Sequence, residues 1–127
     1  MMRSTPLIYA AQMGHLDVVR VLLDGGANAE SANVDQWNAL HYAAMNGHLH
    51  VCRLLLDWGV NVNSLNKRKY TPLHYAAWAG YLSVAKLLVE RGADVRLKNY
   101  NGQTASEVAR IRERIDVAEW LDSLSRG

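Results

Sequence analysis

The chain has 127 residues, of which half are hydrophobic and a fifth are charged, and its formal net charge is +2. This composition excludes a disordered tail, and the length is enough for one modest core. No apolar run approaches the roughly 18 residues of a membrane-spanning helix, and the single cysteine, Cys52, excludes a disulfide within the chain. We therefore expect a soluble protein of the cytosol, with the nucleus as the alternative compartment.

The sequence repeats itself with a period of 33 residues. An alanine pair, a glycine and a leucine recur in one register: Ala10-Ala11, Ala43-Ala44 and Ala76-Ala77, then Gly14, Gly47 and Gly80, then Leu22, Leu55, Leu88 and Leu121. We divide the chain into four repeats, at about 1–33, 34–66, 67–99 and 100–127. A fixed period of this length is typical of a stack of similar units.

Each cycle predicts two short helices. The first helix begins at Thr5, Asn38, Thr71 or Thr104, whose side-chain oxygens can cap free backbone N–H groups. It ends at a glycine such as Gly47, where the chain needs a positive φ. The second helix, at about 49–57 in the second cycle, carries apolar residues at helical spacing and ends at Gly59. The asparagine-rich stretch that follows predicts a turn or a hairpin.

Two segments of the third cycle carry a family resemblance. Thr-Pro-Leu-His-Tyr-Ala-Ala-Trp-Ala-Gly at 71–80 and Leu-Leu-Val-Glu-Arg-Gly-Ala-Asp-Val at 87–95 resemble ankyrin repeats. The resemblance covers nearly the whole chain. It implies an all-α repeat solenoid of about four stacked helix-turn-helix units with short β-hairpin fingers and a concave face. We expect residues 1–127 to form a single ankyrin repeat domain.

The two end repeats differ in polarity. In the fourth cycle Arg110, Glu113 and Asp122 replace the usual alanine, glycine and aliphatic residue, which predicts a C-terminal capping repeat. The first cycle keeps residues of internal type, such as Val18 and Leu22. Two interpretations stay open: a tolerated exposed end, or a face that is covered by a preceding segment or by a second copy.

No enzyme motif is found. The chain lacks a phosphate-binding glycine loop, a serine nucleophile elbow and a zinc-binding His-Glu-x-x-His sequence, so we expect no catalysis, no cofactor and no metal. The resemblance implies that His41 and His74 tie neighbouring loops together by hydrogen bonds. We interpret Cys52 as a buried small hydrophobic residue.

One asparagine resembles a modification site. Asn63 follows Leu55 by eight residues and stands after Val62, as does the ankyrin-repeat asparagine that a cytosolic dioxygenase hydroxylates. The family pattern prefers an acidic residue at the position of Asn61. The alternative is an ordinary hairpin asparagine.

The resemblance implies that partners meet the finger tips and the exposed side of each first helix. The candidate partner-binding residues at these positions are Trp37, Tyr42, Met45, Lys67, Arg68, Tyr70, Tyr75, Trp78, Tyr100 and Arg112. Tyrosine and tryptophan often anchor interfaces. For the tyrosines that recur at one position, such as Tyr42 and Tyr75, packing of repeat against repeat is an equal alternative.

Charge is concentrated in the third repeat. Residues 67–99 hold seven basic and two acidic side chains, a net charge of +5, and Lys67, Arg68 and Lys69 are consecutive. This favours a protein partner with an acidic and apolar segment. Nucleic acid is the less favoured ligand, because a pI near 8.8 is not strongly basic. We predict a non-catalytic protein-protein interaction module; the alternative is a structural subunit that docks, or self-associates, through its first repeat.

Overall fold

The structure, a computed structural model, describes residues 5–125, and this part of the chain forms eight helices. They are α1 (Pro6–Met13), α2 (Leu16–Asp24), α3 (Ala39–Met45), α4 (Leu49–Asp57), α5 (Pro72–Ala79), α6 (Leu82–Glu90), α7 (Ala105–Ile111) and α8 (Ile115–Ser125). The predicted second helix of the second cycle, at about 49–57, is α4 with the same bounds. The two-helix reading of each cycle is therefore confirmed.

The helices form two layers. The first helices of the repeats, α1, α3, α5 and α7, contact one another in chain order, and the second helices, α2, α4, α6 and α8, do the same behind them. The alanine pairs are fully or almost fully buried between the layers, and their small side chains let successive helices approach closely. Each repeat thus buries its apolar residues against its neighbours, as in other solenoids.

Local signals set the helix ends. The hydroxyl of Thr71 accepts a hydrogen bond from the His74 backbone N–H at 3.1 Å, and equivalent caps begin α1, α3 and α7. Gly47 follows α3 with φ of 75°, and a Cβ there would lie 2.7 Å from the ring of Tyr81. This glycine is therefore required both by its backbone conformation and by the close approach of the next repeat.

The fingers are turns, which is one of the two forms that the asparagine-rich stretches predict. In the described residues the pairing of the first finger is a single isolated bridge between Ala32 and Asn38, without strands. Each finger is instead a turn organised by one buried asparagine. The side-chain oxygen of Asn66, for example, accepts hydrogen bonds from the N–H groups of Arg68 and Tyr70, both at 3.0 Å. The side chain thus replaces part of the strand pairing.

The leucine position of the second helix runs through the stack. Leu55 and Leu88 are fully buried and Leu121 is 3% exposed, whereas Leu22 of the first repeat is only partly buried. In the last repeat, Arg110 Nη2 donates to Asp122 at 2.6 Å on the exposed surface. The ends therefore differ as the sequence indicates, with apolar exposure at the first repeat and an ion pair at the last.

Candidate functional site

The fingers and first helices of the second and third repeats carry a row of packed aromatic rings. Trp37 lies between Tyr42 and Tyr75, with ring centroids 4.7 and 4.2 Å away, and Tyr70 stacks on Tyr75 at 4.8 Å. The row alternates between finger and helix, because Trp37 and Tyr70 come from fingers and the other two rings from α3 and α5. Stacking at these distances fixes the fingers against the helices.

Tyr42 and Tyr75 form the floor of this surface. Each is 5% exposed, and their hydroxyl oxygens accept hydrogen bonds from the side-chain amides of Asn33 at 2.9 Å and Asn66 at 2.7 Å. Burial raises the pKa of both phenols, so the rings stay neutral. These tyrosines could either contact a partner or pack one repeat against the next. In the structure they pack between repeats, and little of either ring is exposed to a partner.

Tyr9 shows what the finger contributes. It occupies the same position in the first repeat as Tyr42, yet it is 57% exposed, because none of the described residues stacks on its ring. Met13 beside it on α1 is 50% exposed. Tyr42 and Tyr75 are therefore buried by the asparagine-organised turns, whose rings pack against them.

Trp78 and Met45 form the exposed apolar part of the surface. Both are half-buried, and both line a pocket of about 250 Å³ between the second and third repeats. The guanidinium of Arg112 lies over the Trp78 ring, 4.1 Å from its centroid. This geometry is a cation–π contact, so Arg112 joins the aromatic surface although it belongs to the last repeat.

Lys67 and Arg68 stand at the edge of the aromatic row. Both line an adjoining pocket of about 380 Å³, together with Trp37, Tyr42, Met45 and Asp35. In the described part of the chain the ion pairs are Arg91 with Asp57, Arg96 with Asp94 and Arg110 with Asp122. Within that part, neither Lys67 nor Arg68 is neutralised by a carboxylate in a salt bridge.

The structure does not bring Tyr100 into either pocket. Its ring is 75% exposed on the next finger, with Lys69 Nζ 5.8 Å from its centroid. Conversely, sequence reasoning did not include Asp35 among the site residues. The signal was present in the period, since Asp35 and Arg68 occupy the same finger position 33 residues apart.

His41 and His74 tie successive repeats together, as the resemblance implied. The Nε2 of His41 lies 2.9 Å from the Ser64 carbonyl oxygen, and that of His74 lies 2.9 Å from the carbonyl of Gln103. Burial lowers the pKa of His41 to about 4 and also lowers that of His74. These imidazoles are neutral at pH 7 and fully engaged in holding loops.

Cys52 is fully buried, and burial raises the pKa of its thiol to about 12, so it packs as a small hydrophobic residue. Residues 5–125 contain no group of three or more potential metal-binding side chains. Among the helices of the same range, none is long and apolar enough to cross a membrane.

Asn63 connects the loop that follows α4 to the loop that follows α6. Its side-chain oxygen accepts from the Asp94 N–H at 2.9 Å, and its amide nitrogen donates to the Gly92 carbonyl at 3.4 Å. The position is partly exposed. These contacts describe a structural asparagine between repeats, and its hydroxylation stays a prediction.

Paired helices in two layers, joined by asparagine-organised turns, define a helical repeat protein. Two family models match the chain: residues 2–66 match "Ankyrin repeats (3 copies)" and residues 55–109 match "Ankyrin repeats (many copies)". The chain belongs to the ankyrin repeat family, and its fold is an all-α ankyrin solenoid of about four repeats. Members of this family generally bind proteins and are typically non-catalytic. Among curated proteins, none matches this sequence significantly.

Proposed function

We propose that the chain is a non-catalytic protein-binding module that binds its partner on the aromatic, basic surface of the second and third repeats. One observation carries the proposal: Trp78 and Met45 offer apolar surface beside the cations Lys67 and Arg68. An apolar centre with a charged rim is the usual anatomy of a protein interface. Residues 1–127 act as one domain in this proposal, in the cytosol or the nucleus.

The rigidity of the surface supports this role. The finger that carries Lys67 and Arg68 is held on both sides, because the Lys67 N–H donates to the Asp35 carbonyl at 3.1 Å and the Tyr100 N–H donates to the Arg68 carbonyl at 2.9 Å. A surface that is fixed before binding loses less conformational entropy when the partner docks.

The test is an affinity capture from cell lysate that compares the parent with Trp78→Ala. The matched control is Trp58→Ala, because Trp58 is 46% exposed at the end of α4 and lines neither pocket. Proteins captured by the parent and by the Trp58 variant, but not by the Trp78 variant, support the proposal. Equal capture by all three chains contradicts it. Trp37→Ala is less suitable, because Trp37 also holds the fold by stacking.

A second candidate function is docking through the first repeat, either onto a larger assembly or onto a second copy. The observation that favours it is the exposure of apolar side chains on α1 and α2: Tyr9 57%, Met13 50%, Val18 48% and Val21 68%. Exposed apolar side chains in this number on one repeat can mark an interface. Sedimentation velocity over a range of concentrations tests self-association, which Val21→Glu should abolish. A parent that stays monomeric at all concentrations contradicts the self-association form.

A further inference from the structure

The two pockets of the aromatic, basic surface adjoin each other. Both are lined by Trp37, Met45 and Arg68. The first pocket, of about 380 Å³, adds Asp35, Tyr42 and Lys67, and the second, of about 250 Å³, adds Tyr70, Tyr75 and Trp78. A ligand that fills both pockets must therefore cross their boundary beside Arg68.

Charge at this boundary is unbalanced. Among the residues that line either pocket, Lys67 and Arg68 are cations and Asp35 is the carboxylate, so the excess is positive. Lys67 and Arg68 make no salt bridge within the described residues. Arg112, which lies over Trp78, adds a further cation on the far side of the second pocket. A negative group on the ligand is best placed at the boundary, between two apolar groups.

The backbone fixes where the Arg68 side chain starts. Its N–H donates to the Asn66 side-chain oxygen at 3.0 Å, and its carbonyl accepts from the Tyr100 N–H. The finger therefore presents this exposed cation from a defined position, beside the apolar side chains that line the two pockets. A carboxylate at the boundary between the pockets can therefore pair with Arg68.

The shared lining limits the distance between the groups that the ligand places in the two pockets. The first pocket lies against α3 and the second lies between α3 and α5, which pack directly on each other. Because Trp37, Met45 and Arg68 belong to both linings, side chains that lie close together in one short segment can fill both pockets.

We propose that the surface binds a short peptide segment in which two apolar residues flank an aspartate or a glutamate. The apolar side chains enter the two pockets and the carboxylate pairs with Arg68. The inference rests on the proposed protein-binding function and deepens it, because it specifies the chemistry of the segment that the partner presents.

The experiment is selection from a phage-displayed library of random twelve-residue peptides on the whole chain. Parallel selections use Arg68→Glu and, as a matched control, Lys69→Glu. Lys69 belongs to the same finger and carries the same charge, but it lies over Tyr100 and lines neither pocket. Thermal unfolding of each variant verifies that it is folded. Selected peptides are then synthesised with asparagine in place of their acidic residue, and fluorescence anisotropy measures their affinities.

We expect the parent and the Lys69 variant to enrich peptides in which apolar residues flank an acidic residue. The change from aspartate to asparagine in the peptide should weaken binding to the parent about tenfold or more, and should have little effect with Arg68→Glu. Enrichment of peptides without a carboxylate, or of nothing at all by the parent, overturns the proposal.

Trp78→Ala separates this inference from the function on which it rests. Selected peptides that lack a carboxylate but lose affinity for Trp78→Ala leave the binding surface in place and overturn only the proposed peptide chemistry. Selected peptides that bind Trp78→Ala as tightly as the parent show that they bind elsewhere, which overturns both.

Discussion

Trp37 of the second repeat stacks on Tyr75 of the third, with ring centroids 4.2 Å apart and ring planes inclined by 32°. The same indole also packs 4.7 Å from Tyr42 of its own repeat. One finger residue therefore links two helices of neighbouring repeats. Trp37 therefore stabilises the fold, in addition to any contact that it makes with a partner.

The first prediction is that Trp37→Ala lowers the free energy of unfolding by about 2–3 kcal/mol, because two aromatic contacts and a half-buried indole are lost. Urea denaturation followed by circular dichroism measures the change. Trp37→Tyr serves as the control and should lose less, since it keeps a ring in the stack. Equal stability of Trp37→Ala and the parent would show that the stack contributes nothing to folding.

The second prediction concerns the leucine position of the second helices. Leu55→Ala should lower the free energy of unfolding by about 2–5 kcal/mol, because Leu55 is fully buried between repeats. Leu22→Ala is the matched control and should cost less, because Leu22 is partly exposed on the first repeat. Denaturant unfolding measures both, and a loss below about 0.5 kcal/mol for Leu55→Ala would contradict its place in the core.

These two predictions show how far the sequence reaches. A 33-residue period fixes which residues are equivalent, so Leu55 and Leu88 could be assigned to one buried position, and the caps at Thr71 and Asn38 could be read from residue type. The period does not show which equivalent residues share the same environment. Leu22 departs from the pattern because its exposure depends on what lies beside the first repeat.

The candidate site was less accessible to sequence reasoning. The period placed Trp37 and Tyr70 side by side, but it could not show that Trp37 inserts between Tyr42 and Tyr75, because ring contacts depend on side-chain rotamers. The asparagine-rich stretches predict a turn or a hairpin without choosing between them. The hydrogen bonds of Asn66 to its own turn, which decide for the turn, become visible only in three dimensions.

The third prediction is that the first repeat is the least protected part of the stack. Helix α1 packs on one neighbouring first helix, α3, whereas α3 packs on both α1 and α5. An end unit with one interface opens more readily than an internal one. Hydrogen exchange should therefore be fastest in residues 5–24 among the helices of the first three repeats. Uniform protection from residue 5 to residue 90 would contradict this.

The fourth prediction is a loss of stability in mild acid. Burial lowers the pKa of His41 to about 4 from an unfolded value of 6.5, so the unfolded chain binds the proton more readily. The stabilisation is complete above pH 6.5 and is lost as pH falls towards 4, and His74 is shifted in the same direction. For His41 the loss is on the order of 3 kcal/mol.

Urea unfolding at pH 7.5, 6.0, 5.0 and 4.5 measures this loss. Hydrogen bonds lower the pKa values of Asp94 and Glu107 from their ordinary values, so the unfolded chain also binds protons at these carboxylates towards pH 4.5, and the parent is therefore compared with a His41 variant at each pH. A His41→Gln variant should be less stable at pH 7.5 but should depend less on pH. A free energy of unfolding that is constant for the parent over this range would show that protonation of His41 does not oppose folding.

The last prediction separates, by kinetics, the contributions of the apolar and the charged residues of the aromatic, basic surface. Trp78→Ala should weaken binding of a captured partner by about 2 kcal/mol or more, mostly through faster dissociation, because the lost contact exists only in the docked complex. Lys67→Glu combined with Arg68→Glu should mainly slow association and reduce its dependence on salt, because these exposed cations attract the partner before contact. Surface plasmon resonance at several salt concentrations measures both rates. The matched control, Arg20→Glu with Arg53→Glu, makes the same change in net charge on exposed positions of α2 and α4. If Trp78→Ala and the Lys67→Glu, Arg68→Glu double variant both bind like the parent, the face formed by the second helices becomes the candidate interface.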